Sequence, residues 1–200
     1  VIDLSKSNAP LVDNTGSTPG EVSFTLTYRV ASQGKGSGLF ARVANKLAAV
    51  DLDVLALCFN ASNQVISVAG PHDLSPFPNG SVRHTGDASA SGGGTASETV
   101  VIRPADVPVS VAGIILAVVA YGNSDLLGKL AQAVLTLTDG QGGQIAEDYL
   151  SIERGVQGQL LVALRRDGAA WEISPFVRPV GQAGSWEAVA SAARDALVRG

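Results

Sequence analysis

This sequence contains a single cysteine, Cys58, and no methionine. A lone cysteine cannot close an internal disulfide, and one set inside an apolar run reads as a small buried hydrophobe. Such usage suits a reducing, cytoplasmic compartment, and the true first residue is expected either to have been removed or to lie ahead of the given sequence. Histidine is almost as scarce, with only His72 and His84 present. Two imidazoles and one thiol without ligand spacing make a poor zinc or transition-metal set. Charge is thin too: charged residues are 16% of the chain and the net charge is −4. With no Lys/Arg cluster, the chain lacks the electrostatic footprint of a nucleic-acid binder or of a protein held at an anionic membrane surface. No charged segment followed by an apolar one marks a secretory leader. The most apolar run, 107–121, is broken by Pro108, Ser110 and Gly113 and is too short to span a bilayer.

What is present is apolar residue in quantity, 46% of 200 positions, enough for one domain over 1–200 with a substantial core. Its spacing is mostly that of strands. Val22, Phe24, Leu26 and Tyr28 alternate with Ser23, Thr25, Thr27 and Arg29, the pattern of a half-buried strand. Residues 50–59 and 114–121 are apolar on both faces and predict strands inside a covered sheet. Further strands are expected at 1–4, 64–68, 98–103, 133–138, 144–149, 159–165 and 170–180, with a brief pairing at 81–85. Asp139-Gly140-Gln141-Gly142-Gly143 and Arg166-Asp167-Gly168 supply hairpin turns. Residues 70–80 and 86–97 read as loop. Helical spacing occurs at 39–47, at 124–132 with Ser124 as cap, and at 185–198 with Ser185 as cap and Glu187 in the first turn. Many short strands with few short helices predict an all-β chain, a β-sandwich of two sheets with two or three short helices.

Against this background Asp51 and Asp53 stand out, because they head an otherwise apolar strand and sit two residues apart. Side chains at i and i+2 of a strand share a face. Two carboxylates held that close repel unless a cation or a basic group lies between them. No nucleophile elbow of the G-x-S-x-G type accompanies either histidine. The run Gly92-Gly93-Gly94 lacks the Lys-Ser/Thr and helix start of a phosphate loop and reads as a turn. Trp171 and Trp186 read as packing anchors.

Four stretches together resemble the TerD family of tellurium-resistance and bacterial stress proteins. Asp51-Leu52-Asp53-Val54-Leu55-Ala56 is similar to its D-L-D-x-x-A strand, and Gly80-Ser81-Val82-Arg83-His84-Thr85-Gly86-Asp87 to its G-S-V-x-H-T-G-D motif. Trp171-Glu172-Ile173 with Val180-Gly181-Gln182 resembles the W-x-[FIL] and V-G-Q ending, and Ala193-Arg194-Asp195 the closing A-R-D helix. The resemblance implies a β-sandwich and, for many members, Ca²⁺ held by loops at one end. It departs where members carry an acidic run after the motif, since residues 88–97 here hold no acid.

Calcium takes six to eight oxygens, several of them carboxylate. The candidate ligands are Asp51, Asp53, Asn79, Asp87 and Glu98, with Asp73 a further acid nearby. Four carboxylates suit one weakly held ion and leave a second short of charge. Two readings stand level: one weak Ca²⁺ site, or Asp51 and Asp53 capping loop backbone with Glu98 a solvated strand end. The resemblance further implies a non-enzymatic, cytoplasmic stress-response protein working through contacts with a protein partner. The alternative is a metal-free scaffold or interaction module. A hydrolase built on His84 or His72 ranks below both, and His84 is expected to hydrogen-bond a neighbouring turn. Direct tellurite chemistry would want exposed reactive thiols, which Cys58 does not offer.

Overall fold

The computed structural model describes residues 8–30, 50–86, 89–90, 94–120, 130–150, 155–181 and 183–199. The strand expected at 1–4, the helix expected at 39–47, residues 124–129 of the helix expected at 124–132, and Asp87 lie outside them. Strand β1 is Ala9–Pro10, β2 Val22–Val30, β3 Val50–Asp51, β4 Asp53–Phe59, β5 Val65–Ala69 and β6 Val82–His84. Next come β7 Ser89–Ala90, β8 Thr95–Ile102, a 3-10 turn Pro104–Asp106 and β9 Gly113–Val119. The last strands are β10 Leu130–Asp139, β11 Gln144–Tyr149, β12 Gly158–Asp167 and β13 Ala170–Val180, followed by helix α1, Trp186–Arg199. These make a six-stranded sheet in the order β1-β13-β12-β9-β4-β5, a five-stranded sheet in the order β11-β10-β2-β8-β6, and a small ribbon of β3 with β7. The pairings are antiparallel throughout. The all-β expectation holds. Of the expected helices the one at 185–198 is present as α1, and a 3-10 turn adds to it among the described residues.

Strand periodicity sets the packing. In β2 the residues at 22, 24, 26, 28 and 30 are buried and those between are not, so one face meets the core and the other meets solvent. β4 is buried at every position because both its faces are covered. Its even-numbered side chains, Val54, Ala56 and Cys58, join the layer between the sheets with Phe24, Leu26, Val100, Leu116 and Leu135. Its odd-numbered ones, Leu55, Leu57 and Phe59, join a second cluster beneath α1 with Ile115, Val119, Val189, Ala190 and Ala193. Val189, Ala190 and Ala193 recur at the three- and four-residue spacing that forms one helix stripe. Small residues there let the helix lie close to the sheet. At its start the Glu187 carboxyl group is hydrogen-bonded to the Ser185 side chain, which lowers its pKa.

Two expectations are corrected. Residues 130–132 belong to β10, where Leu130 pairs with Val30 and Gln132 with Arg29, so helical spacing was overridden by a neighbouring strand that needed a partner. The 86–97 stretch is not all loop: Ser89–Ala90 pairs with Val50–Asp51, and β8 begins at Thr95 opposite Arg29. Small polar residues allow strand pairing where another strand supplies the register, which composition alone does not reveal.

Cys58 behaves as its apolar setting required. It is fully buried, and burial pushes its thiol from an ordinary value of 9.0 up to about 12. The folded thiol therefore keeps its proton over a range in which the unfolded one releases it. Stability contributed by this group is full below about pH 9 and declines by about 1.4 kcal/mol per pH unit above it. Urea titrations between pH 8 and 11 should show that decline, and Cys58→Ala should flatten it. An unchanged slope in the variant would remove the thiol as its cause.

Candidate functional site

The acid-rich strand that heads the sequence argument is broken in the middle. At Leu52 the chain changes partners: Asp51 pairs with Ser89 in the ribbon, whereas Asp53 pairs with Val119 in the six-stranded sheet. On the other side of β4, pairing with β5 stops at Ala56 with Ala69. The amides of Leu52 and Val54 point to the same edge, because backbone groups alternate along a strand. Among the described residues no strand lies beside that edge. A buried amide without an acceptor is costly, and here the opposite sheet supplies the acceptors. The Leu52 N–H donates to Tyr28 Oη at 3.4 Å, and the Val54 N–H donates to Glu98 Oε2 at 2.8 Å. Tyr28 and Glu98 lie on adjacent strands β2 and β8 and both face inward. Two side chains of one sheet thus stand in for the missing neighbour strand of the other.

Glu98 is held in turn by the H-T-G motif. His84 Nε2 lies 3.2 Å from Glu98 Oε2, with both side chains fully buried. The other ring nitrogen, Nδ1, accepts from the Gly86 N–H at 3.1 Å, which leaves Nε2 as the donor toward Glu98. Gly86 has φ +121°, a backbone conformation open to glycine alone without strain, so glycine is what lets that amide turn back onto the ring. The His84 N–H donates to the Leu74 carbonyl and the Thr85 N–H to the Thr99 carbonyl, fixing the motif against the loop and β8. The expected bond from His84 to a neighbouring turn is present; its second bond, to Glu98, was not foreseen. A signal for it existed in the sequence. Glu98 shares the parity of Ala96, Val100 and Ile102 in β8, the inward one, so it was never placed to be a solvated strand end.

These bonds sort the candidate calcium ligands. Asn79 sits at the far end of the β6–β8 pair, about 16 Å from Glu98 at strand rise. Its Oδ1 accepts from the Ser81 N–H at 3.1 Å and its Nδ2 donates to the Asp106 carbonyl at 2.8 Å, while Arg103 Nη2 donates to its carbonyl. It closes a turn, apart from Glu98. Glu98 Oε2 is already committed to two donors inside the core. Asp53 shares its β4 face with Leu55 and Leu57, on the α1 side of the sheet, whereas Glu98 enters between the sheets. Asp51 is placed by its backbone beside Ser89, two residues along the chain from Asp87. Among the described residues no three His, Cys, Asp or Glu side chains form a metal-holding group. What the backbone gathers is a rim around Leu52 carrying Asp51 and Asp53, with Asp87 close in sequence to the ribbon. Asp73 is exposed and accepts from the Ser75 N–H at 3.3 Å.

The arrangement offers hydrolysis little. Both nitrogens of His84 are occupied, and the ring is buried. His72 is exposed and lines a groove beside Ser67, yet among the described residues no hydroxyl is hydrogen-bonded to it. No described helix is long and apolar enough to cross a membrane.

A family model described as the TerD domain matches residues 2–185. Among solved structures, SAV2460, described as a protein of unknown function, superposes with a TM-score of 0.61 at 17% identity, covering 82% of this chain and 91% of its own. A Streptomyces coelicolor A3(2) protein, SCO6318, described as a homologue of the telluride resistance protein TerD, superposes with a TM-score of 0.60 at 15% identity, covering 82% and 92%. At that identity the superpositions speak to the fold. No curated protein sequence matches.

Proposed function

The chain belongs to the TerD family, and on that premise we propose that it is a non-enzymatic, cytoplasmic stress-response protein of the tellurium-resistance type that works through contacts with other proteins. The observation that carries this reading is the family match over residues 2–185, which includes the motif from Gly80 to Asp87. Support for a non-enzymatic role comes from a chemically suggestive pair among the described residues, His84 and Glu98. Its hydrogen bonds are spent on backbone, ring and carboxyl partners within the fold, and it is closed to solvent. Cross-linking of the protein in cells under tellurite stress, followed by mass spectrometry, tests the reading. Stress-dependent cross-links to other proteins are expected, and their absence would reject a role through protein contacts.

Calcium enters this proposal as one weak site at the Leu52 rim, held by Asp51, Asp53 and Asp87 with loop carbonyls. Three carboxylates are few for a hard divalent ion, so affinity belongs with the weak class, about 10⁻⁴ to 10⁻³ M. Titration calorimetry should give heat that Asp53→Asn removes and Asn79→Ala leaves intact. At about 5 mM Ca²⁺ the unfolding free energy should rise by roughly 1–2 kcal/mol. If neither heat nor stabilisation is found, the metal-free scaffold takes its place. That second reading is favoured by the commitment of Glu98 to the core.

A further inference from the structure

We infer that the outer face of the five-stranded sheet is an interface on which a second copy of this chain docks, face to face, about a two-fold axis running along β2. The inference goes beyond the proposed function and does not rest on it.

The described α-helix covers the outer face of the six-stranded sheet. The outer face of the five-stranded sheet holds the positions that alternate with the core: Thr25 and Thr27 on β2, Ser97 and Thr99 on β8, Val134 and Thr136 on β10. All six are half-buried or exposed. Strand register sets them in two rows, Thr136-Thr25-Thr99 and Val134-Thr27-Ser97. No charge interrupts these rows. Charge stands at the margins instead, with Glu147 on β11 and Arg83 on β6. An uncharged centre inside a polar, charged rim is the anatomy of a protein interface.

The hydroxyl groups indicate what covers it. The Oγ1 atoms of Thr25 and Thr99 are 2.9 Å apart, as are Thr27 Oγ1 and Ser97 Oγ. One hydroxyl of each pair donates to the other, so the second keeps its proton for an outside acceptor, and both keep acceptor capacity. A face that offers donors and acceptors at the same sites is complementary to itself. Threonine is also stiff at χ1, so docking such a face orders few side chains that are not already ordered.

Area and charge both fit a second copy. Five strands and about nine residues of length make a face of roughly 24 by 30 Å, close to the 800 Å² or so that each partner contributes to a standard interface. A single extended peptide would leave most of it in water. β2 is the middle strand of the five. A two-fold axis along it sets the β11 margin of one copy over the β6 margin of the other. Glu147 faces outward beside Thr136, and Arg83 beside Val101, one row away. The docked pair brings Glu147 within about 7 Å, along the strand, of the partner's Arg83, a gap that an arginine side chain spans. Arg83 engages Glu21 through Nη2 at 3.2 Å and stays 44% exposed, open to a second carboxylate. Tyr149, 65% exposed at the end of the Val134 row, is carried over the partner's β6 margin and loses its contact with water. An axis across the strands would set acid over acid and is disfavoured.

Sedimentation velocity on the full chain, from about 1 µM to 1 mM, tests this. A monomer–dimer equilibrium with a Kd of about 10–100 µM is expected. Thr25→Lys sets like charges opposite each other near the axis and should weaken dimerisation about tenfold or more. Tyr149→Ala should weaken it about tenfold. Glu147→Arg and Arg83→Glu should each weaken it about fivefold, and the double variant should return to within about threefold of the parent. Circular dichroism checks that each variant is folded; should Thr25→Lys fail to fold, the charge exchange at two exposed positions decides alone. A chain that stays monomeric to about 1 mM overturns the inference. So does a dimer that is indifferent to Thr25→Lys, or one whose charge-exchanged double variant is not restored. A dimer abolished by Ile66→Lys, on the other sheet, and kept by Thr25→Lys would place the contact elsewhere and overturn it as well. A monomer that still gives stress-dependent cross-links to other proteins would sink this interface and leave the proposed function standing.

Discussion

Glu98→Ala lowers the unfolding free energy by about 3–5 kcal/mol, the range expected when one partner of a buried pair is removed. The physical reason is that Glu98 Oε2 serves two donors at once, the Val54 N–H at 2.8 Å and His84 Nε2 at 3.2 Å, in a site closed to water. Deleting it orphans both, and each buried donor left without an acceptor costs about 1–3 kcal/mol. Alanine also leaves a void between the sheets. Glu98→Gln keeps one carbonyl oxygen at the same reach and should recover part of the loss. A double-mutant cycle with His84→Ala should show a coupling of about 1 kcal/mol or more, because the two side chains share one oxygen. Urea denaturation followed by circular dichroism measures all five proteins, the parent included. If Glu98→Ala falls within about 1 kcal/mol of the parent, the Val54 amide and His84 Nε2 have another acceptor and the account of the clamp is wrong.

Trp171→Ala is expected to cost about 3–5 kcal/mol, as large-to-small changes of buried aromatic side chains do. Trp171 is 2% exposed, and its Nε1–H donates to the Pro104 carbonyl at 3.2 Å. The Arg166 guanidinium lies 4.4 Å from the centre of its ring. From there Arg166 Nε donates to the Val111 carbonyl at 2.9 Å and Nη2 to those of Val107 and Pro108 at 2.9 and 3.2 Å. Burial also draws the Arg166 pKa down, as it should for a cation partly removed from water. The indole therefore does more than fill volume: it backs the guanidinium that ties three loop carbonyls to β12. Trp171→Phe keeps an aromatic face and loses the indole donor, so it should cost only about 1–2 kcal/mol. The variants are compared by circular dichroism, since Trp171 would otherwise dominate the fluorescence signal. Equal losses for Phe and Ala would mean that the lost hydrogen bond, and not the ring, governs.

Much of this architecture could be read from residue order. The alternation of 22–30 set one face of β2 inward. The two-sided apolar runs at 50–59 and 114–121 marked β4 and β9 as strands covered on both sides. Asp139 to Gly143 and the Asp167-Gly168 pair announced their hairpins. Such features are local, governed by a period of two and by turn chemistry, and they survive whatever surrounds them. The misreadings fell where a distant partner decided. Leu130 to Gln132 became strand because Arg29 and Val30 lay alongside, and Ser89 and Ala90 because Val50 and Asp51 did.

For the candidate site the division is sharper. Composition and order were enough to point to a two-layer β fold, to the kinship carried by Gly80 to Asp87, and to the inertness of Cys58, because each depends on residue type and spacing along one strand. Only the assembled fold could show that Leu52 and Val54 have no neighbour strand among the described residues, that Tyr28 and Glu98 reach across from the other sheet to serve them, and that Asn79 lies at the far end of β8 from Glu98. Those are statements about which edges face which side chains. They arise from how two sheets stack, and no stretch of sequence contains that stacking by itself.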